Sequence, residues 1–218
     1  MSSNIEKKHP LGHVIIIDDD TSVRRSLSSM LERTGYQVTL YESADAFLSN
    51  PVVPHPSVIV SDMRMPGTTG VHLQEQLKTL AQCTPVVFVS GDSRPEEIIM
   101  AMKQGAVDFL LKPFTAQAML DVIERAMHLA EHAVRVNDKN LLVSERLQRL
   151  TPREMEVCHW MVRGYTNQQI AAIDGGASAT IKLHRARVMD KMSARTLPEL
   201  IDMLIGMDIP APRRTASA

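Results

Sequence analysis

Through residue 130 the chain alternates short β-branched runs with amphipathic stretches, and no other feature restricts its fold as strongly. The runs are "HVIIID" (13–18), "YQVTLY" (36–41), "SVIVSD" (57–62), "TPVVFVS" (84–90) and "VDFLL" (107–111). Between them lie helical patterns at 21–34, 43–49, 69–80 and 94–104, and another starts at Thr115. A strand apolar at consecutive positions must bury both faces, and a helix between successive strands permits parallel pairing. The pattern therefore predicts a parallel sheet covered by helices on both sides.

Five such units in about 120 residues fit a doubly wound, flavodoxin-like, five-stranded α/β fold. The helix from Thr115 places Met119, Leu120, Ile123, Met127, Ala130 and Val134 at helical spacing, then loses the pattern near "RVNDKN" (135–140). A region with only helical patterns follows: 151–164, 166–173, 179–192 and 197–206. Thr151, Pro152 and Glu154 form a helix start with N-cap, N1 proline and N3 acid in order, and Gly164 reads as a C-cap. The expected organisation is an α/β domain at 12–130, a helical linker at 131–146 and a small all-α domain at 147–210. The end, "PAPRRTASA", reads as a frayed tail.

In a doubly wound sheet, ligands sit beyond the carboxyl ends of the strands. The residues there are Asp18 and Asp19 after the first strand, Asp62 after the third, Ser90 after the fourth and Lys112 after the fifth. Each has a structural explanation of its own, as a cap, a turn residue or a surface lysine. Five polar groups at four ends of one sheet edge point instead to a shared site. Clustered carboxylates suit a hard dication such as Mg2+. A carboxylate can also accept a phosphoryl group as an acyl phosphate, which needs positioning and charge neutralisation more than acid–base catalysis. Asp20, where the first helix begins, reads as its N-cap.

In this order and spacing, "IIIDDD", "SDMRMPGTTG", "VSGDS" and "DFLLKPF" resemble the receiver domain of two-component response regulators over residues 12 to 130. The resemblance implies that Asp62 is the phosphoryl acceptor. It implies that the acidic pair Asp18 and Asp19, with Asp62 and the backbone carbonyl of Arg64, forms the Mg2+ site. Ser90 becomes the switch hydroxyl, Lys112 its cationic partner and Phe109 the aromatic switch residue; a cis bond before Pro113 is common in the family. A competing resemblance exists. "IIIDDDTS" also looks like the D-x-D-x-S motif of haloacid-dehalogenase-type phosphatases, with Asp18 as nucleophile, Asp20 as general acid and "VVFVSG" as second motif. That reading lacks a strand ending in an acidic pair after Lys112 and leaves "SDMRMPGTTG" unexplained.

Residues 147 to 206 resemble the helix-turn-helix domain of NarL/FixJ (LuxR-type) regulators through "LTPREMEVCHWMVRGYTNQQIA" and "TIKLHRARVMDKM". By this resemblance "TNQQIAAI" crosses the DNA backbone and "ATIKLHRARVMDKM" enters the major groove. Thr180, Lys182, His184, Arg185 and Arg187 are the candidate DNA contacts, while Ile181, Val188 and Met192 form the core-facing stripe. Asn167 and Gln168 could add phosphate contacts. One stretch departs from the family: "IAAIDGGASATIK" has Asp174 and Gly176 where apolar turn anchors are expected. A carboxylate at 174 would have to stay in water, and Ser178 is the candidate cap of a late-starting recognition helix.

Charge agrees with this division. Residues 1–130 carry 11 Lys/Arg against 15 Asp/Glu, and residues 131–218 carry 13 against 10; the basic half is the better candidate for nucleic acid. Cys83 and Cys158 have no metal spacing and read as free thiols of a reducing cytoplasm. "MSSNIEKKHP" has no apolar core of a signal peptide, and no run approaches a membrane span. The expectation is a cytoplasmic transcription regulator, not an enzyme, that receives phosphoryl from a sensor histidine kinase. The resemblance further implies that on phosphorylation it dimerises through the face from Arg94 to Leu111 and binds promoter DNA, with RNA polymerase a candidate further partner. The alternative keeps the receiver but makes the helical half a protein- or RNA-binding adaptor.

Overall fold

The structure, a computed structural model, describes residues 10–79, 84–92, 94–207 and 209–210. The N-terminal stretch up to residue 9, Cys83 and the tail beyond Pro210 lie outside the described residues. The chain divides into two compact units, at residues 1–135 and 136–218.

The first unit is built on strands β1 (His13–Ile17), β2 (Gln37–Tyr41), β3 (Ser57–Asp62), β4 (Val86–Ser90) and β5 (Asp108–Leu111). All neighbours pair in parallel, in the order β2-β1-β3-β4-β5. Helices α1 (Thr21–Thr34), α2 (Ala44–Ser49), α3 (Gly70–Thr79) and α4 (Pro95–Lys103) connect them, and α5 (Ala116–Gln148) follows. Alternation along the strands sorts the core into two layers. Val14, Ile16, Val58, Val60, Val87 and Val89 pack with Leu27 and Leu31 of α1 and with Met119, Ile123 and Met127 of α5. Ile15, Ile17, Ile59 and Phe88 face the other way, against Phe47 of α2, Leu73 and Leu77 of α3 and Ala101 of α4. Each fully buried aliphatic side chain contributes about 1.5–3 kcal/mol, so this two-sided burial fixes the register. Ile17 pairs with Tyr41 and Ser61, Asp62 with Val89 and Ser90 with Leu111, which aligns the carboxyl ends along one edge.

The helix ends follow their sequence signals. Asp20 caps α1 by accepting from the Ser22 and Val23 amides at 2.7 and 3.3 Å, and Gly35 closes that helix in the left-handed region. Thr115 accepts from the Ala118 amide at 3.1 Å at the start of α5. The Lys112–Pro113 and His55–Pro56 bonds are cis. The polar run "RVNDKN" does not interrupt α5, although every residue from Arg135 to Leu142 is exposed.

In the second unit, α6 (Pro152–Met161), α7 (Asn167–Asp174), α8 (Ser178–Met192) and α9 (Leu197–Leu204) enclose one core. Val143 and Leu147, from the end of α5, belong to it with Val157, Met161, Ile170, Ile181, Val188, Met192 and Leu200. The capping box at Thr151 and Glu154 is formed, and Gly164 lies at φ 82° just beyond α6. Two details differ from the sequence expectation. Ser178 is the first residue of α8, not its cap: Ala177 occupies the N-cap position without a side-chain bond. Asp174 is not left to water either, because its carboxylate pairs with Arg153 of α6. Among the described residues no helix is long and apolar enough to cross a membrane.

Candidate functional site

The β1, β3, β4 and β5 ends bring together the polar residues read from the sequence. One carboxylate oxygen from each of Asp18, Asp19 and Asp62 lies within 4.8 Å of the others. Asp18 is buried, 2% exposed, and Asp19 is exposed. The Asp18 carboxylate accepts from the Asp20 amide at 2.8 Å and from the Lys112 ammonium at 2.9 Å. Arg24 of α1 donates to the Asp18 carbonyl, which fixes the strand end from the helix side. Lys112 reaches the Asp62 carboxylate as well, at 3.3 Å, and Asp62 also accepts from the Arg64 amide at 3.3 Å.

The electrostatics are uneven. Burial pushes the Asp62 carboxyl above its ordinary range; Lys112 and the Arg64 amide oppose that, and the Asp18 charge adds to it. Burial pulls Lys112 down, but the Asp18 hydrogen bond and the charges of Asp62 and Asp18 outweigh it and hold the ammonium above its ordinary value. The lysine therefore stays charged while its carboxylate partners compete for it. An all-oxygen donor set on three convergent carboxylates is what a hard dication such as Mg2+ takes, so the residues present fit that ion.

Ser90 is buried at the end of β4, and its hydroxyl accepts from the Asp92 amide at 3.4 Å. The Lys112 amide donates to the Ser90 carbonyl at 2.8 Å, so hydroxyl and ammonium sit on adjacent strand ends. Phe109 is partly buried on β5 and packs on the core layer that contains Leu73, Phe88 and Ala101. The loop after Asp62 is held on both flanks. Asp45 of α2 accepts from the Thr68 hydroxyl at 2.5 Å, and a Cβ at Gly67 (φ 80°) would collide with that carboxylate. A Cβ at Gly70 would approach the Asp62 carbonyl to 2.8 Å, so "PGTTG" needs both glycines where they stand. On the other flank, Arg64 pairs with Asp92 at 3.3 Å and Glu97 at 3.1 Å. The sequence reading missed this guanidinium bridge, since no local pattern links residues 28 and 33 positions apart.

In the second unit, Thr180, Lys182 and Arg187 are exposed on α8, while His184 and Arg185 are partly buried. Arg185 donates to the Tyr165 carbonyl at 2.8 Å, and burial lowers its pKa. Its guanidinium thus holds α8 to the loop before α7, a role the sequence did not reveal. Lys191 is tied to Glu154 at 2.6 Å and to the Arg149 carbonyl at 3.0 Å.

Residues 14–124 match the model of the response regulator receiver domain, and residues 148–204 match that of the bacterial regulatory proteins of the LuxR family. This chain is a response regulator. The match to FixJ, a transcriptional regulatory protein of Rhizobium meliloti, is 39% identical over 193 residues, 88% of this chain and 94% of that protein. FixJ of Bradyrhizobium diazoefficiens is 37% identical over 87% of this chain and 93% of its own length. The tetrathionate response regulatory protein TtrR of Salmonella typhimurium is 34% identical over 91% and 94%. Among solved structures, the response regulator StyR superposes with a TM-score of 0.77 at 36% identity, covering 89% of this chain and 98% of that one. Full-length FixJ from B. japonicum gives 0.56 at 36% identity, covering 91% and 99%. This response regulator therefore joins a receiver domain to a LuxR-type DNA-binding domain, and it is a transcription regulator. The phosphatase resemblance finds no free general acid either, since the Asp20 carboxylate caps α1.

Proposed function

We propose that Asp62 accepts a phosphoryl group from a partner histidine kinase, and that this event controls DNA binding by the helical unit. The observation that carries the reading is the Lys112 ammonium, held between the buried Asp18 and the acceptor Asp62 on the same edge as Asp19 and Ser90. An oxygen of Asp62 attacks phosphorus, the phosphohistidine N–P bond breaks as the O–P bond forms, and the histidine leaves on the kinase. Asp18, Asp19 and Asp62, with the Arg64 carbonyl, would hold Mg2+, which supplies neutralisation of the phosphoryl charge. Lys112 exchanges its bond to Asp62 for one to a phosphoryl oxygen, and the Ser90 hydroxyl turns to donate to another. Both ride on strand ends next to α4, so the face from Arg94 to Leu111, with Phe109 at its core side, is the element that rearranges. Ile99, Met100, Met102 and Leu111 are exposed there and suit a homodimer contact. A dimer would set two copies of α8 on a two-fold promoter site, with Thr180, Lys182, His184 and Arg187 as the contacting side chains and Arg185 bracing the helix on the Tyr165 carbonyl. RNA polymerase is then a natural further partner, and the cytoplasm the natural compartment.

Acetyl phosphate with Mg2+ should give a base-labile adduct that Asp62→Asn abolishes and Mg2+ removal nearly abolishes. Labelling that survives in Asp62→Asn but vanishes in Asp18→Asn would sink the acceptor assignment. Lys112→Ala should still be labelled but should dimerise poorly when phosphorylated; dimerisation equal to the parent's would remove Lys112 from the relay.

A further inference from the structure

The turn between α7 and α8 lacks the apolar anchors expected of a LuxR-type domain, and the structure shows what holds it instead. From Ala172 to Thr180 every residue except Asp174 is exposed. The backbone bonds of this segment are local: the Gly175 and Gly176 amides donate to the Ala171 carbonyl, and those of Thr180 and Ile181 to the Ala177 carbonyl. Asp174 is different. Its side chain is 19% exposed and pairs with the Arg153 guanidinium, whose other arm donates to Glu156 at 2.9 Å. Among the described residues it is the one side chain of the segment with an ion pair or hydrogen bond to another element. The planar fork of arginine suits this role, with one nitrogen kept on its own helix and one extended to the turn. An acid in the last turn of a helix is disfavoured by the helix dipole, so α7 gains nothing locally from Asp174.

We infer that Arg153 and Asp174 are positioning residues for DNA recognition: an ionic clasp that fixes the turn and, through it, the angle at which α8 meets the major groove. The inference rests on the reading of α8 as the recognition helix. Neither residue needs to touch DNA. The first turns of α8, with Thr180 and Lys182, follow the clasped residue within eight positions, so freedom at the turn becomes misplacement at the base edges. Gly175, in the left-handed region at φ 71°, sets the direction of the chain, and the clasp holds that direction against α6.

The sign of one substitution separates this role from simple electrostatics. Asp174→Asn removes a negative charge close to α8, which by charge alone should strengthen DNA binding. The clasp predicts the reverse. The test uses the full chain treated with acetyl phosphate, a duplex selected by that protein from a random pool, and a scrambled duplex of equal length. Asp174→Asn and Arg153→Gln should each bind the selected duplex about tenfold more weakly, within the range of coupled pairs. Affinity of Asp174→Asn for the scrambled duplex should hold or rise, and circular dichroism should show the helices intact in both variants. Arg153→Lys, which keeps the charge without the fork, should fall between. Equal or tighter binding of the selected duplex by Asp174→Asn, or unchanged binding by Arg153→Gln, overturns the clasp. Failure of the unsubstituted protein to tell the two duplexes apart would instead remove the DNA reading on which it rests.

Discussion

Both units bury a carboxylate against a lysine, and the two carboxylates are displaced in opposite directions. Asp62 is raised above the ordinary range, chiefly by burial, with Lys112 shared between it and Asp18. Glu154 is lowered to about 2 by the Lys191 hydrogen bond first and the Thr151 amide next. One acid is under-compensated when charged, and the other is fully satisfied. Under-compensation marks a site where a further cation or a change of charge is welcome; satisfaction marks a fixture. The pairing motif alone would not separate the two. The difference lies in how far the hydrogen bonds to each carboxylate offset its burial.

Removing the cation is the largest test of this contrast. Lys191→Ala leaves Glu154, 3% exposed, without its counter-charge and should cost about 2–3 kcal/mol, below the full penalty for a deeply buried pair because Lys191 is itself partly exposed. Trp160 is the single tryptophan and lies on α6, so urea titration by tryptophan fluorescence reads the second unit alone. A midpoint unchanged in Lys191→Ala would break the claim that Glu154 is a fixture. Acid gives the same test without mutation. Because the folded Glu154 pKa of about 2 lies below its usual 4.5, its contribution is complete above about pH 4.5 and is lost as pH falls toward 2. Trp160 fluorescence should follow that loss, and Glu154→Gln should flatten it. A smaller effect, about 1 kcal/mol, is expected in the first unit from Asp20→Ala, which removes the α1 cap without touching the acidic cluster; circular dichroism melts would show it. The smallest has the opposite sign. The raised Asp62 pKa means that its charge costs stability at neutral pH and that protonation returns this as pH falls through the raised value. Without divalent cations, Asp62→Asn should therefore melt about 1–4 °C higher, the scale of a fraction of a kcal/mol in a domain of this size. Mg2+ should then stabilise the parent more than the variant; equal gains would make the acidic cluster a poor cation site.

The strands were readable because each central one is apolar on both faces, which leaves an unbroken β-branched run in the sequence. Their ends agree with the expectation to within two residues, and the polar residues gathered at one edge lie where such ends must be. Continuation of α5 through "RVNDKN" was harder to see, because an exposed helix has no apolar period to read. The Arg64 bridge to Asp92 and Glu97 and the Arg153 pair with Asp174 were invisible for a different reason. Each joins side chains on separate elements, 21 or more positions apart, and only the packed backbone brings them together. Arg185 shows the limit of reading a basic stripe as one surface: one of its cations is spent on the Tyr165 carbonyl.

Cys158 sits in the middle of the second core, fully buried, with its thiol pushed up to about 11 by that burial. A thiol so rarely ionised, and closed to solvent, reacts with alkylating reagents only while the helices around it are apart. Its modification rate is therefore a clock for the opening of the DNA-binding unit, readable at a single peptide by mass spectrometry in the intact chain. Run with and without phosphodonor, that clock reports whether an event at the receiver's acidic cluster is felt inside a core that shares no residue with it.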